Sequence, residues 1–336
     1  MPLITDRKKV LDVYRECAAR KWLIPAICSE NLTSTEAILQ ATAEHAASIG
    51  TPDLPVTIAI TNLYSHRSQS LMYTQTRRWD LGLKLFLADL SVLCAPDGPY
   101  GCLRVLTHLD HIQPDLDSEL LDSNLSGFSS IMYDASRFTF EENIELTAKF
   151  MSERGADIVV EGACDEIVDA TGNQISNMTT PENAERYVRE TGVDFVVANL
   201  GTEHRAGSAN LTYRGDIARL ISKKIGCRIV LHGCSSVQHS QLTTLFDDGI
   251  CKVNIWTAIE RDSSPVLFAD MVRHAEQVAG TVTVKKLVEE KILSAGAARG
   301  GKLNLDYFTT SYRQTLVFNE MKKIVGGFLR LWYCKS

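Results

Sequence analysis

Several features that would assign this chain to a special class are missing from it. No run approaches the roughly 18 apolar residues of a membrane span, so no membrane association is expected. No stretch clusters five Lys or Arg residues, and acids exceed bases 41 to 35 for a net charge of −6. That balance argues against nucleic-acid binding through bulk charge. The nine cysteines are odd in number, scattered and free of any CxxC spacing. Cys28, Cys102, Cys164, Cys227 and Cys251 sit in or beside apolar runs and read as reduced thiols of a cytoplasmic protein. No GxGxxG follows the first apolar run, which weakens a dinucleotide-binding open sheet. No Pro/Gly/Ser-rich linker divides the 336 residues, so a single domain over 1–336 is expected. The charged first twenty residues read as an amphipathic helix rather than a secretory leader.

What is present is alternation. Short apolar, β-branched runs recur at 23–28, 56–61, 103–107, 129–133, 158–161, 195–199, 228–231 and 252–255. Between and after them lie stretches with helical period, at 35–49, 77–93, 140–151, 181–190, 215–224, 240–246 and 259–278. Glu141 and Glu142 open one of these, as suits a helix N-terminus. Eight strands that read as buried on both faces, alternating with helices, predict an α/β fold, the (β/α)8 TIM barrel, with its core at about 20–280. Residues 281–336 form a C-terminal helical extension, with a Gly-rich break near 295–301 and an apolar end from Leu316 to Trp332. This extension reads as a cap on the barrel or as the contact of a homodimer or higher homo-oligomer.

Chemistry in such a barrel sits at the C-terminal ends of the strands. The third run leads into His108-Leu109-Asp110-His111, the sixth into Gly201-Thr202-Glu203-His204, the seventh into His232-Gly233, and the eighth into Asn254-Ile255-Trp256-Thr257. Histidines thus gather at one rim from three strands. Three neutral imidazoles with an open position are the ligand set of a catalytic zinc, although other transition metals also accept imidazole. Asp110 reads either as a carboxylate orienting a ligating imidazole or as a general acid/base.

These residues resemble the class II, zinc-dependent ketose-bisphosphate aldolases of fructose- and tagatose-bisphosphate type. The likeness runs from about residue 20 to about 280. It is carried by the H-x-D-H at 108–111, by Gly127-Phe128-Ser129-Ser130-Ile131-Met132-Tyr133-Asp134-Ala135-Ser136 and by Phe140-Glu141-Glu142-Asn143-Ile144. Thr191-Gly192-Val193-Asp194, the G-T-x-H at 201–204, the L-H-G at 231–233 and the segment Gly249 to Thr257 continue it. The resemblance implies that His111, His204 and His232 hold one divalent metal, expected to be Zn2+. It also implies that Asp110 moves the proton at the cleaved bond and that Asn254 contacts the enediolate. The activity implied is that of a carbon–carbon lyase acting on a small sugar or sugar-phosphate-like substrate. Lys252 would be structural, and no Schiff-base lysine is required.

The departures cluster. Ala163 stands where the family has a strand-five glutamate, leaving Glu161, Asp165 or Glu166 as replacements, and the following acidic loop retains only Glu166 and Asp169. The phosphate cradle loses glycines to Cys234 and Ser236, loses a lysine at Ser208 and gains Trp256. Replacing glycine restricts φ and blocks backbone approach to an anion. Ser235, Thr257 and Gly233 remain, and Arg205 is a new cation able to clamp an anion, or else to make a surface salt bridge. Asn31 and Thr61, after the first two runs, are further candidates for substrate contact, although an Asn in that place also serves as a helix cap. A donor that is not a standard ketose 1-phosphate is expected. An isomerase or epimerase using the same metal-enediolate chemistry, and a non-catalytic homologue, are the competing functions.

Overall fold

The computed structural model describes residues 3–167, 178–204, 211 and 213–333. Helix α1 (Arg7–Ala19) leads into β1 (Ile24–Cys28), α2 (Leu32–Ile49), β2 (Pro55–Thr61), α3 (Gln69–Met72) and α4 (Trp79–Leu93). Then come β3 (Arg104–Ile112), α5 (Ser118–Leu121), β4 (Ser130–Tyr133), α6 (Phe140–Arg154), β5 (Val159–Ala163), α7 (Pro181–Thr191) and β6 (Phe195–Val197). The barrel ends with α8 (Gly215–Ile225), β7 (Ile229–Leu231), β8 (Ile250–Ile255) and α9 (Thr257–Arg273). Helices α10 (Ala275–Ala279), α11 (Thr281–Glu289), α12 (Leu305–Phe308) and α13 (Thr310–Trp332) complete the chain.

The eight strands pair in chain order and close, β8 lying parallel to β1 with Asn254 opposite Ala26. All but Arg104 at the start of β3 are buried throughout, which is why they read as unbroken apolar runs rather than alternating ones. Helix starts follow local chemistry. Thr139 and Glu142 form a reciprocal capping box at α6, and Pro181 occupies the first turn of α7 behind the cap Thr180.

The helical extension lies against the helix layer. One stripe of α13 (Met321, Val325, Leu329 and Trp332) is buried, and the helix packs on α2 and α9. Its end is pinned by Trp332 Nε1 donating to the Leu242 carbonyl at 2.9 Å and by Tyr333 Oη donating to Pro55 at 2.6 Å. Among the described residues no helix is long and apolar enough to cross a membrane.

Three expectations need correction. Residues 240–246 form no α-helix but a 3-10 turn, His239–Gln241, followed by further turns. Thr243 and Thr244 bond back to the carbonyls of Ser240 and Gln241, and the Gln241 amide is tied to the backbone of Tyr213. Hydroxyls that serve nearby carbonyls compete with helix propagation. The helix expected over 259–278 is two helices, broken at His274, whose φ of −109° and ψ of 27° leave the helical region. The third strand runs on to Ile112, so the H-x-D-H residues belong to the strand rather than to the loop behind it.

Candidate active site

The end of β3 is built around one extra residue. Leu109 lies opposite Ile131 and Ile112 opposite Tyr133, so three steps on β3 match two on β4. That is a β-bulge, and His111 adopts a positive φ of 50° within it. A left-handed conformation costs a non-glycine residue on the order of 1 kcal/mol or more. It allows the consecutive residues Asp110 and His111 to line the same cavity, which a regular pleat would forbid.

His204 follows β6 and His232 follows β7. With His111 their rings meet nearly edge to face at centroid separations of 4.9–5.8 Å. One ligand atom from each histidine lies within 4.8 Å of the other two. All three Nε2 atoms are buried without a hydrogen-bond partner. His111 Nδ1 donates to Asp134 Oδ2 at 2.8 Å, and Tyr64 stacks on the His111 ring at 4.2 Å and 4°. Burial and the neighbouring His111 push His204 down to about 3, and burial holds His232 well below the ordinary imidazole range. Burial opposes charge on His111 too, but Asp110 and Asp134 outweigh it and raise its pKa. Orphaned buried nitrogens converging on one point fit a metal ion, and these three residues could hold one.

Asp110 is buried beside them. Its Oδ1 accepts from Asn254 Nδ2 at 2.9 Å and its Oδ2 from the Cys28 thiol at 3.3 Å. Burial works to raise its carboxyl, yet the imidazoles of His111, His108 and His232 hold it well below the usual carboxylate range. Asn254 Oδ1 is buried with no partner. His108 is not part of the three-histidine set; its Nδ1 lies 2.8 Å from Ser130 Oγ and its Nε2 between Asp110 (3.7 Å) and Glu161 (3.6 Å). Glu161 is engaged by Lys252 at 2.6 Å in the fully buried barrel interior. Asp165 and Glu166 instead border an adjoining cavity that also touches His111 and His204.

The structure brings most of the expected residues to one cleft of about 570 Å³, counted to its open mouth. Asp110, His111, His204, His232, Asn254, Thr61, Gly233, Ser235 and Thr257 all line it. Gly233 has a φ of 69°, and a Cβ there would stand 2.8 Å from the Glu203 backbone, so only glycine fits the turn. Asn31 is not among the lining residues; it caps α2 by accepting from Ser34 N. Thr61 uses its hydroxyl within the protein, donating to the Arg67 carbonyl and accepting from Gln69 N at 3.0 Å. Arg205 and Asp169 lie outside the described residues. From sequence Cys28 reads only as a packed thiol and Asp134 only as part of a motif, while Tyr64 and the pairing of Glu30 with Arg67 are not assigned to the site. Of these, only Asp134 carried a signal, as the acid of the motif at 127–136.

The structure is a closed parallel barrel, and three histidines that could hold a metal ion meet beside a buried carboxylate at the C-terminal ends of its strands. The sequence model of the class-II fructose-bisphosphate aldolase family matches residues 8–299, and the chain belongs to that family. A fructose-bisphosphate aldolase of Treponema pallidum is 27% identical over 289 residues, 73% of this chain and 80% of that protein. The D-tagatose-1,6-bisphosphate aldolase subunit GatY of Klebsiella oxytoca is 29% identical over 178 residues, 51% of this chain. The chain spans 60% of that subunit and 56% of a 28%-identical fructose-bisphosphate aldolase of Helicobacter pylori. The fructose-bisphosphate aldolase structure of Campylobacter jejuni superposes with a TM-score of 0.75 at 18% identity, covering 99% of this chain and 96% of its own. The YdjI aldolase structure of Escherichia coli gives 0.62 at 19%, covering 98% and 97%. At these identities the two structures speak to the fold alone.

Proposed function

We propose that the protein is a metal-dependent class II aldolase, a carbon–carbon lyase that reversibly cleaves a ketose-like substrate by way of an enediolate. The observation that carries this reading is the set of three orphaned Nε2 atoms beside a buried carboxylate that Asn254 and Cys28 hold in place. His111, His204 and His232 are the proposed ligands of Zn2+, because the donor set is all imidazole. When bound, the ion would supply Lewis-acid polarisation of the substrate carbonyl and lower the energy of the enediolate.

The chain's own groups do the rest. Asp110 takes the proton of the hydroxyl on the carbon that departs as an aldehyde. The electron pair of the breaking carbon–carbon bond passes to the carbonyl fragment, which later regains a proton at carbon. Asn254 Nδ2 fixes the Asp110 carboxylate, and Asn254 Oδ1 is left to accept from a substrate hydroxyl. Asp134 and Tyr64 keep the His111 ring in register. Thr61, Gly233, Ser235 and Thr257 are the proposed walls around a small sugar or sugar-phosphate-like substrate.

The cytoplasm is the proposed location, since Cys17, Cys28, Cys94, Cys164, Cys234 and Cys251 are packed as buried thiols. A homodimer or higher homo-oligomer is supported by Phe268, Val282, Ile292, Leu303 and Leu305, which stand 57–85% exposed between α9 and α12; sedimentation velocity tests it. For the activity, the test is metal analysis with a screen of phosphorylated and unphosphorylated ketoses. One metal per chain and release of an aldehyde are expected. Interconversion of ketoses without aldehyde release would overturn the lyase reading.

A further inference from the structure

The catalytic cleft has a second chemical end, built from the loops behind β1 and β2. Arg67 grips Glu30 with Nε at 3.0 and 3.1 Å from its two oxygens and with Nη2 on Oε2. Gln69 Nε2 adds a third donor to Glu30 at 3.2 Å. The segment is held by β2 itself, through Thr61 Oγ1 on the Arg67 carbonyl and Thr61 N on Gln69 Oε1 at 2.9 Å. The Arg67 guanidinium stands 5.8 Å from the centre of the Trp256 ring. Arg67, Gln69 and Trp256 all line the cleft, and Trp256 Nε1 is buried without a partner.

Among the described residues lining this cleft, Arg67 is the only arginine or lysine. Its charge is already balanced by Glu30. The N-terminus of α9 also reaches the cleft at Thr257, and a helix N-terminus favours anions. Yet Glu260 occupies its first turn, and burial together with the nearby Glu30 lifts that carboxyl to about 7, against the pull of Arg67. One cation therefore faces two carboxyl groups. A phosphate monoester carries a charge of about −1.5 to −2 near neutral pH and would find no unbalanced lysine or arginine among the described residues lining the cleft. An uncharged hydroxyl makes no such demand. The indole N–H donates to it, and the indole face covers the adjoining C–H groups, while Glu30 acts from behind by holding the Arg67 charge.

We infer that the Glu30–Arg67 pair, with Trp256, makes this end of the cleft select a donor ending in an unphosphorylated hydroxymethyl group and turn away a phosphate monoester. The inference rests on the aldolase reading for the way the donor lies in the cleft.

Calorimetric titration of the metal-loaded full chain with dihydroxyacetone, dihydroxyacetone phosphate and inorganic phosphate tests it without turnover. The wild type should bind dihydroxyacetone more tightly than its phosphate ester. Glu30→Gln, which leaves Arg67 unbalanced, should raise affinity for the ester and for inorganic phosphate by about tenfold or more, the scale of one charge-assisted contact. Trp256→Phe, which keeps the ring and removes the N–H, should weaken dihydroxyacetone alone. Tighter binding of the ester by the wild type overturns the inference, and so does absence of dihydroxyacetone binding. The wild-type comparison stands even if a variant fails to fold. A protein with the stated preference that cleaves no ketose contradicts the aldolase reading and not this one. Turnover that favours ketose 1-phosphates contradicts this one alone.

Discussion

Asp134 accepts the Nδ1 proton of His111 across 2.8 Å, and this contact decides which nitrogen of His111 faces the other two histidines. With Nδ1 engaged, Nε2 is left as a bare acceptor pointing toward the convergence point. Removing such a partner costs about 10–100-fold in metal affinity in comparable sites. Asp134→Ala should show a loss of that size in competition with a chelator. Unchanged affinity would reduce Asp134 to a packing role.

His232→Ala should lose bound metal and turnover together, because His232 Nε2 is one of three converging acceptors with no other partner. Exhaustive chelation of the wild type should abolish turnover, and re-addition of Zn2+ should restore it. Full activity in the chelated protein would sink the metal reading.

Asp110→Asn keeps the side-chain shape and removes the proton acceptor. A fall in kcat of about 10²–10⁴-fold is expected, the usual worth of a positioned acid/base, with metal content near that of the wild type. Loss of metal along with activity would make Asp110 a ligand or an orienting group.

Lys252 and Glu161 form an ion pair at 2.6 Å with neither side chain exposed. Deleting one partner of a buried pair strands the other's charge and costs about 3–5 kcal/mol. Lys252→Met should therefore be strongly destabilised in urea melts, and Glu161→Leu added to it should recover most of the loss. A single variant as stable as the wild type would mean that water reaches the pair.

Glu260 is raised from an ordinary 4.5 to about 7, chiefly by burial and next by Glu30. Folding thus favours its protonated form. Its stabilising contribution is complete below about pH 4.5 and is lost as pH rises through 7. Glu260→Gln removes that dependence. The variant should gain on the order of 2 kcal/mol over the wild type between pH 5 and pH 8, read as the difference between their urea midpoints. A constant difference across that range would show that Glu260 titrates normally.

The barrel was legible in the sequence because its strands are covered on both sides. Burial on both faces writes eight apolar runs into the chain, and each of the eight observed strands overlaps its run. The histidines and Asp110 were legible because their strand-end positions can be read along the chain. Less visible was everything set by partners distant in sequence. Asp134 lies 23 residues from His111, Arg67 lies 37 from Glu30, and Lys252 lies 91 from Glu161. Nothing local to any of these residues names its partner. The segment 240–246 misled for a related reason, since its tie to Tyr213 competes with the helix that its spacing allows.

The sequence by itself determined the order and number of the strands and the residue types at their ends, because hydrophobic periodicity is a local property. Only the tertiary structure decided that Asp110 and His111 share one cavity, through an extra residue in β3 whose strain the neighbouring strands sustain. It alone joined Arg67 to Glu30 as well, because the parallel pairing of β1 with β2 sets the loops behind them side by side. The Arg67 charge is there already matched.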